Sequence, residues 1–219
     1  MGNITSMEKG YDQKMKVLVG CEYSQVITNE FRKNGYEAYS CDLLPTEGNP
    51  KWHIQDDVLN HLNDGWDIAI FHPECTFMCN SGVSWLHKDK LRWEKLRLAK
   101  EFFYKLWNCN IPRIAIENPI PHKYAELPKY SQIIQPYQFG QPERKAICLW
   151  LKNLPLLEET NNVYNEMKKL PKSISQRIHY TSPGKERWKI RSKSFVGIGN
   201  AMAEQWGKIP TTDTRKCNA

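Results

Sequence analysis

The 219-residue sequence lacks an apolar run approaching the roughly 20 residues of a membrane-spanning helix. Its first 14 residues are polar and lack the apolar centre of a signal peptide. Seven cysteines are scattered without the short spacings of a disulfide framework, and no Gly-rich segment ends in the Lys-Ser/Thr of a phosphate-binding loop. These absences argue against a membrane-spanning, disulfide-stapled or phosphate-loop protein, and predict a reducing, cytoplasmic setting.

The charge balance points to the class of partner. Lys and Arg number 31 against 24 Asp and Glu, which gives a net charge of +7 and a pI near 9.0. Such an excess favours an anionic partner, nucleic acid before membrane. The length is most simply that of one domain with a substantial core.

Strand-like and helix-like patterns alternate along the chain, which predicts an α/β fold with a largely parallel sheet. Strands are expected at residues 16–20, 37–41, 67–71, 113–116, 133–139 and 146–151. Helices are expected at residues 26–33, 59–62, 88–107 and 196–206, whereas residues 152–195 lose this rhythm.

Two of the predicted strands each deliver a reactive side chain. Residues 67–71 lead to Cys75, and residues 113–116 lead to Glu117. A single cysteine after a buried strand is usually a packing residue. A thiol and a carboxyl at the ends of consecutive strands, however, are placed to act on one planar heterocycle. The thiolate can attack a ring carbon while a protonated carboxyl binds a ring nitrogen. This pairing predicts substitution at carbon 5 of a pyrimidine.

Five short segments carry a more specific signal. They read VLVGCEYS at residues 17–24, PEC at 73–75, ENP at 117–119, QPERK at 141–145 and GIGNA at 197–201. In order and content they resemble the motifs of the cytosine-5 DNA methyltransferase family, in particular its short phage-encoded members. Those motifs are a Gly-containing first turn, a Pro-Pro-Cys loop, a Glu-Asn-Val turn, a Gln-x-Arg-x-Arg strand and a late Gly-Asn turn. The resemblance covers nearly the whole chain.

The resemblance implies a Rossmann-like class I methyltransferase sheet with helices on both faces and a reduced target-recognition region. It implies that Cys75 adds to the pyrimidine ring, Glu117 binds the ring edge, and Arg144 helps to hold the base or its phosphate. Asn118 would orient the Glu117 turn. Glu117 would have to be partly protonated, which a water-poor pocket favours. Glu74 replaces the family's Pro, and its carboxylate would disfavour the thiolate if it faced Cys75 and would be harmless if it pointed outward.

The resemblance further implies S-adenosylmethionine as cofactor, bound beyond the carboxyl ends of the strands. Gly20 would permit close backbone approach, Asp42 would accept the ribose hydroxyls, and Leu43 would pack on the adenine. Asp57 would reach the adenine amine, and Tyr23 would replace the family's Phe. The full predicted set of cofactor residues is Gly20, Glu22, Tyr23, Asp42, Leu43, Asp57 and Asn200.

The composition of residues 172–193 predicts that this segment binds the substrate. Seven basic side chains and one acid, Glu186, are interleaved there with aromatic residues. Basic groups can meet phosphates and rings can stack on bases, although a solvated surface loop has the same composition. The predicted contacts are Lys185, Arg187, Trp188 and Lys189. The expected partner is DNA, duplex or single-stranded, with no membrane and no metal.

These interpretations divide the chain into a mobile leader (1–15), a catalytic and cofactor-binding domain (16–151), a basic recognition region (152–195), a returning helix (196–207) and a tail (208–219). Because family members usually carry a large separate recognition domain, recognition of a long site is doubtful here. Short-context, single-strand or free-nucleotide modification is plausible instead.

Three other functions compete with DNA methylation. His72, Cys75 and Cys79 resemble pieces of a zinc deaminase site, but they crowd into eight residues and no second segment exists, so no metal is predicted. A related enzyme could act on a free nucleotide or use a different one-carbon donor. A non-catalytic nucleic-acid-binding protein on a methyltransferase scaffold would need only the basic segment.

Overall fold

The computed structural model describes residues 14–209, in which seven strands form one sheet. The strands are β1 (Lys16–Gly20), β2 (Glu37–Cys41), β3 (His53–Ile54), β4 (Ile68–Phe71), β5 (Ile114–Asn118), β6 (Gln132–Ile134) and β7 (Ile147–Lys152). The α-helices are α1 (Val26–Lys33), α2 (Leu91–Trp107), α3 (Tyr164–Lys169), α4 (Lys172–Ser175), α5 (Arg177–Tyr180), α6 (Arg187–Ser192) and α7 (Val196–Trp206).

The sheet has the order β3-β2-β1-β4-β5-β7-β6, with β7 antiparallel to both neighbours and the other pairs parallel. Gly20 of β1 is level with Cys41 of β2 on one side and with Phe71 of β4 on the other. Strand order therefore reverses between β1 and β4, and open α/β sheets bind ligands beyond the strand ends at such a point. The predicted α/β class with a largely parallel sheet is confirmed.

Apolar side chains bury both faces of the sheet. Alternate residues of a strand point to opposite faces, so Val17 and Val19 pack under α1 and α7 while Leu18 lies on the side of α2. Phe103 of α2 and Trp206 of α7 are fully buried, one on each face. The predicted placement of helices on both faces is confirmed, and it leaves the carboxyl edge of the sheet for a site.

Some predicted boundaries are wrong for local reasons. The strand predicted at 133–139 ends at Ile134, because a 3₁₀ turn at Pro136–Gln138 begins with a proline that cannot extend the ladder. The helix predicted at 88–107 begins at Leu91, and the one predicted at 59–62 is a 3₁₀ turn at Val58–His61.

The regions outside the sheet also differ from expectation. Residues 152–195 contain the four short helices α3 to α6. Met15, placed by sequence in a mobile leader, is buried in the core under α1. The rest of that leader, residues 1–13, and residues 210–219 of the tail lie outside the described residues.

Candidate active site

The loop after β4 places Cys75 at the carboxyl edge of the sheet. Amides of Met78 and Cys79 donate to the Cys75 carbonyl at 3.1 and 3.0 Å, so Cys75 opens a single helical turn. Asn118, at the end of β5, is buried and donates through Nδ2 to the Pro73 carbonyl at 3.3 Å. Asn118 therefore connects the cysteine loop to the neighbouring strand, although the two bonded residues are 45 positions apart in sequence.

Glu117 forms the central ion pair of the site. Its Oε2 lies 2.8 Å from Nδ1 of His72, and the two side chains are only 14% and 11% exposed. Burial alone would raise the pKa of Glu117, but the charge of Lys145 and the bond to His72 outweigh it and hold that pKa at about 2. The expectation of a partly protonated Glu117 is wrong for the ligand-free site: the carboxylate is ionised, and His72 faces it.

His72 interacts electrostatically with two buried carboxylates. Besides Glu117, it feels the charge of Glu22, which is only 3% exposed. Burial lowers the pKa of His72, yet the bond to Glu117 and the charges of both carboxylates raise it above its ordinary value, against an opposing contribution from Lys145. The imidazole Nε2 is buried and has no hydrogen-bond partner within residues 14–209. The site thus holds a buried His72–Glu117 pair in which the neighbouring carboxylates favour the protonated imidazole.

Cys75 is a thiol in this arrangement. A hydrogen bond to the Cys79 thiol, and then burial, raise the pKa of Cys75 well above its ordinary value, while Lys145 acts in the opposite direction. Cys79 in turn lies 3.0 Å from Ser81 Oγ. The Glu74 side chain is exposed, which is the harmless of its two expected orientations.

Lys145, rather than Arg144, supplies the cation at the centre of the site. Arg144 is exposed, and its backbone amide donates to the Ser175 carbonyl at 2.7 Å. The positive charge of the next residue, Lys145, lowers the pKa values of Glu117, His72 and Cys75. Sequence reasoning named neither Lys145 nor the partner of His72, although the Lys that follows Arg144 on the approach to β7 could have signalled a side chain on the opposite face.

Two predicted cofactor residues of the first turn have other partners. A Cβ on Gly20 would lie 2.6 Å from Phe71 Cδ1 and 2.7 Å from Val58 Cγ2, so side-chain packing already requires a glycine there. Glu22 accepts from the Ile27 amide at 2.7 Å, and from the Thr28 amide and hydroxyl at 3.2 and 2.7 Å. Its carboxylate caps α1 instead of facing a ligand, which corrects its assignment to the cofactor.

Asp42, Leu43 and Asp57 do gather at one edge. Both aspartates stand close enough to the Cys21 thiol to raise its pKa, after the larger effect of burial. Asp42 Oδ1 accepts the amide two residues along at 2.9 Å, and Asp57 Oδ1 does the same at 3.0 Å. Leu43 is 71% exposed beside them. These three residues form a cluster of two carboxylates and an uncovered apolar side chain.

Tyr23 contacts the basic segment. Its hydroxyl lies 3.2 Å from the Lys189 carbonyl and 3.3 Å from Ser192 Oγ, and its ring centroid is 5.8 Å from that of Trp188. Tyr23 is 6% exposed as a result. In this structure α6 therefore rests on the turn that was predicted to hold the cofactor.

The late Gly-Asn motif is not a turn. Asn200 lies inside α7, and the preceding Gly199 is the point where α7 meets α1, since a Cβ there would lie 3.0 Å from Ile27 Cδ1. In this chain Gly199 permits close helix packing, and within the described part of the chain the Asn200 side chain forms no hydrogen bond with the other predicted cofactor residues.

The basic segment is partly neutralised by the protein itself. Arg177 pairs with Glu143 at 3.0 Å, Lys189 with Glu186 at 3.0 Å, and Lys193 with Glu47 at 2.6 Å. Arg187 donates to the Thr181 carbonyl. Lys185 is exposed, and Trp188 remains 47% exposed despite its contact with Tyr23.

Two further features bear on partners. Between residues 14 and 209, no three His, Cys, Asp or Glu side chains come together in a way that could hold a metal ion. No helix in that same range is long and apolar enough to cross a bilayer.

Comparison with known proteins assigns this chain to no family. No protein-family model and no curated protein matches the sequence. The chain is similar to a crystal structure assigned to a DNA modification methyltransferase encoded within a prophage in E. coli, at 12% identity and a TM-score of 0.40. The match covers 63% of this chain and 46% of the other, so this chain matches less than half the length of that protein. At this level of similarity, function must be argued from the site itself.

Proposed function

We propose that this protein is an S-adenosylmethionine-dependent methyltransferase that modifies cytosine at carbon 5 in DNA through a covalent adduct with Cys75. The observation that supports it best is the convergence of Cys75, Glu117 and Lys145 at the carboxyl edge of the sheet, beside the point where strand order reverses. A thiol, a carboxyl and a cation at that place suit nucleophilic addition to a nitrogen heterocycle.

The residues divide the chemistry as follows. Sγ of Cys75 bonds to carbon 6 while the thiol proton leaves to solvent, to which Cys75 is partly exposed. The electron pair displaced from the carbon 5–carbon 6 double bond is drawn toward the ring nitrogen, which Glu117 stabilises once that carboxyl carries a proton. Carbon 5, once methylated, would lose its proton to a solvent water, the electron pair would re-form the carbon 5–carbon 6 double bond, and Sγ would leave as a thiolate that takes up a proton from solvent. Substrate entry must first break the hydrogen bond between the Cys75 and Cys79 thiols, because this hydrogen bond favours the unreactive, protonated form of Cys75.

The cluster of Asp42, Leu43 and Asp57 fits a bound S-adenosylmethionine. Two carboxylates can accept hydrogen bonds from hydroxyl and amine groups, and the exposed Leu43 offers an apolar surface to a purine. The bound cofactor would supply a sulfonium methyl group to carbon 5. Glu22 and Asn200 are not included in this proposal, since the first caps α1 and the second lies within α7.

The direct test is methyl transfer from labelled S-adenosylmethionine to a panel of duplex DNA, single strands, RNA and cytidine nucleotides. Cys75→Ser should abolish transfer and leave cofactor binding nearly unchanged, whereas Cys109→Ser, a partly exposed cysteine before β5, should be as active as wild type. Wild type should also form a covalent adduct with DNA that contains 5-fluorocytosine, because fluorine blocks the elimination step.

Other outcomes would replace the proposal. Full activity of Cys75→Ser would eliminate the covalent route. Turnover of a cytidine nucleotide without any polymer binding would move the substrate from DNA to a nucleotide. Polymer binding with no transfer to any substrate would favour a non-catalytic nucleic-acid-binding protein.

A further inference from the structure

His72 is hydrogen-bonded to Glu117, and none of the steps above uses it. Its Nδ1 is 2.8 Å from Glu117 Oε2, and both side chains are largely buried. The charged groups that face it come from three other elements: Glu117 on β5, Glu22 in the turn after β1, and Lys145 before β7. Two of these three are carboxylates, so the local charge favours a protonated imidazole.

Glu117 needs a proton that the ligand-free site does not give it. To donate a hydrogen bond to a ring nitrogen it must carry a proton, yet in the ligand-free site its pKa is held at about 2 by Lys145 and His72 against the effect of burial. Near neutral pH the carboxylate therefore has no proton of its own. The nearest one lies on Nδ1 of His72, across a single hydrogen bond.

We propose that His72 is a positioning residue that stores the proton used by Glu117. When the base enters, the proton on Nδ1 moves to Oε2, which leaves a neutral imidazole and a carboxylic acid. The acid then donates to the ring nitrogen as Sγ adds to carbon 6. The proton returns to His72 when the product leaves, so the cycle needs no external acid. This inference rests on the proposed cytosine chemistry.

A purely structural role for His72 would be to join the ends of β4 and β5. That connection is already made by Asn118, which bonds to the Pro73 carbonyl, and by the parallel strand pairing itself. The buried Nε2 without a partner also argues against a histidine selected only to satisfy hydrogen bonds.

The first experiment does not depend on activity. The ¹⁵N signals of labelled histidine can be followed through a pH titration of wild type and of Glu117→Gln. We expect the His72 imidazole to be protonated at neutral pH in wild type and to titrate at a clearly lower pH in Glu117→Gln. His72→Gln identifies the signal. A wild-type His72 that is neutral throughout the neutral range would overturn the inference, whatever the enzyme does.

The second experiment measures catalysis. For His72→Gln we expect kcat to fall by about 10²–10⁴-fold, the usual contribution of general acid catalysis, with KM nearly unchanged. Wild-type kcat should decline as pH rises through the pKa of His72, and the variant should lose that decline. His61→Gln, which removes a partly exposed histidine paired with Asp56 and Asp64, should behave as wild type.

The two proposals fail in different ways. A wild type that transfers no methyl group would reject the proposed function. An active wild type whose pH profile and kcat are unchanged in His72→Gln would reject only the role of His72.

Discussion

Gly20 has a structural role that differs from the cofactor-binding role predicted for it. The resemblance assigns it to cofactor approach, whereas the structure places it under the side chains of Phe71 and Val58. Gly20→Ala should lower the free energy of unfolding by about 1–3 kcal/mol, the usual cost of overpacking. Gly184→Ala is the matched control, because nothing lies within 4 Å of its Cβ position. Urea unfolding of both variants measures the difference, and equal stabilities would contradict the packing.

Glu117 makes a second prediction at this scale, on stability against pH. A carboxyl whose pKa is depressed on folding stabilises the protein above its unfolded pKa and loses that contribution as pH falls through the folded value. For Glu117 the window runs from 4.5 down to about 2. The stability advantage of wild type over Glu117→Gln should therefore be fully present above that window and shrink within it. An advantage that is constant across the window, measured by urea unfolding, would show that the carboxylate is not specifically stabilised.

Single residues also mark the limit of sequence reasoning. Cys75 and Glu117 could be predicted because each follows an apolar run. The bond between His72 and Glu117 joins residues 45 apart, and no local pattern encodes it. Lys145 was missed because its neighbour Arg144 matches a motif, while only the three-dimensional structure shows which of the two side chains faces the site.

At the scale of elements, the predicted bounds of β1, β2 and α1 agree with the structure, because each element has a pattern of buried residues that suits its period. The prediction fails where tertiary contacts decide. The resemblance implies a turn at residues 197–201, which is wrong, whereas the helix predicted at residues 196–206 is confirmed; in this chain Gly199 lets α7 pack closely against α1. The short helices α3 to α6 have too few residues for a periodic pattern.

The contact between α6 and the first turn can be tested separately. Tyr23→Phe removes a hydroxyl that lies within hydrogen-bond distance of the Lys189 carbonyl and of Ser192. Loss of this hydrogen bond should lower the local stability of α6 by about 0.5–1.5 kcal/mol and so speed its amide hydrogen exchange by about 2–10-fold. Exchange in α7 should not change. Tyr164→Phe, on α3, is the control, and equal exchange in α6 of both variants would show that the hydroxyl does not hold this helix.

At the scale of the whole molecule, the net charge of +7 is unevenly available to a partner. Three basic residues of the 172–193 segment are paired with Glu143, Glu186 and Glu47, so they would contribute less to phosphate binding than composition suggests. Lys185 is exposed, and the half-exposed Trp188 lies against Tyr23 in the turn that precedes α1. Charge and stacking surface are thus adjacent near the carboxyl edge of the sheet.

This arrangement predicts how binding depends on salt. Each phosphate contact displaces a condensed counterion, which gives a log–log slope of about −0.7 per contact on single strands and about −0.9 on duplex. Lys185→Gln with Arg187→Gln should flatten the slope by roughly one to two contacts and weaken all sequences alike. Trp188→Ala should cost about 1–3 kcal/mol of stacking if a base lies on its exposed face.

The matched control replaces two lysines near the amino ends of the strands, which removes the same amount of positive charge from the opposite edge of the sheet. Lys33 ends α1 and Lys105 lies in the last turn of α2, and helices that follow parallel strands run back toward the amino ends of the sheet. Lys33→Gln with Lys105→Gln should leave the slope unchanged, because net charge alone does not determine counterion release. Equal flattening by both pairs would show that the polymer has no defined site. A slope that neither pair alters, together with turnover of a cytidine nucleotide, would place the chemistry of Cys75 on a free nucleotide.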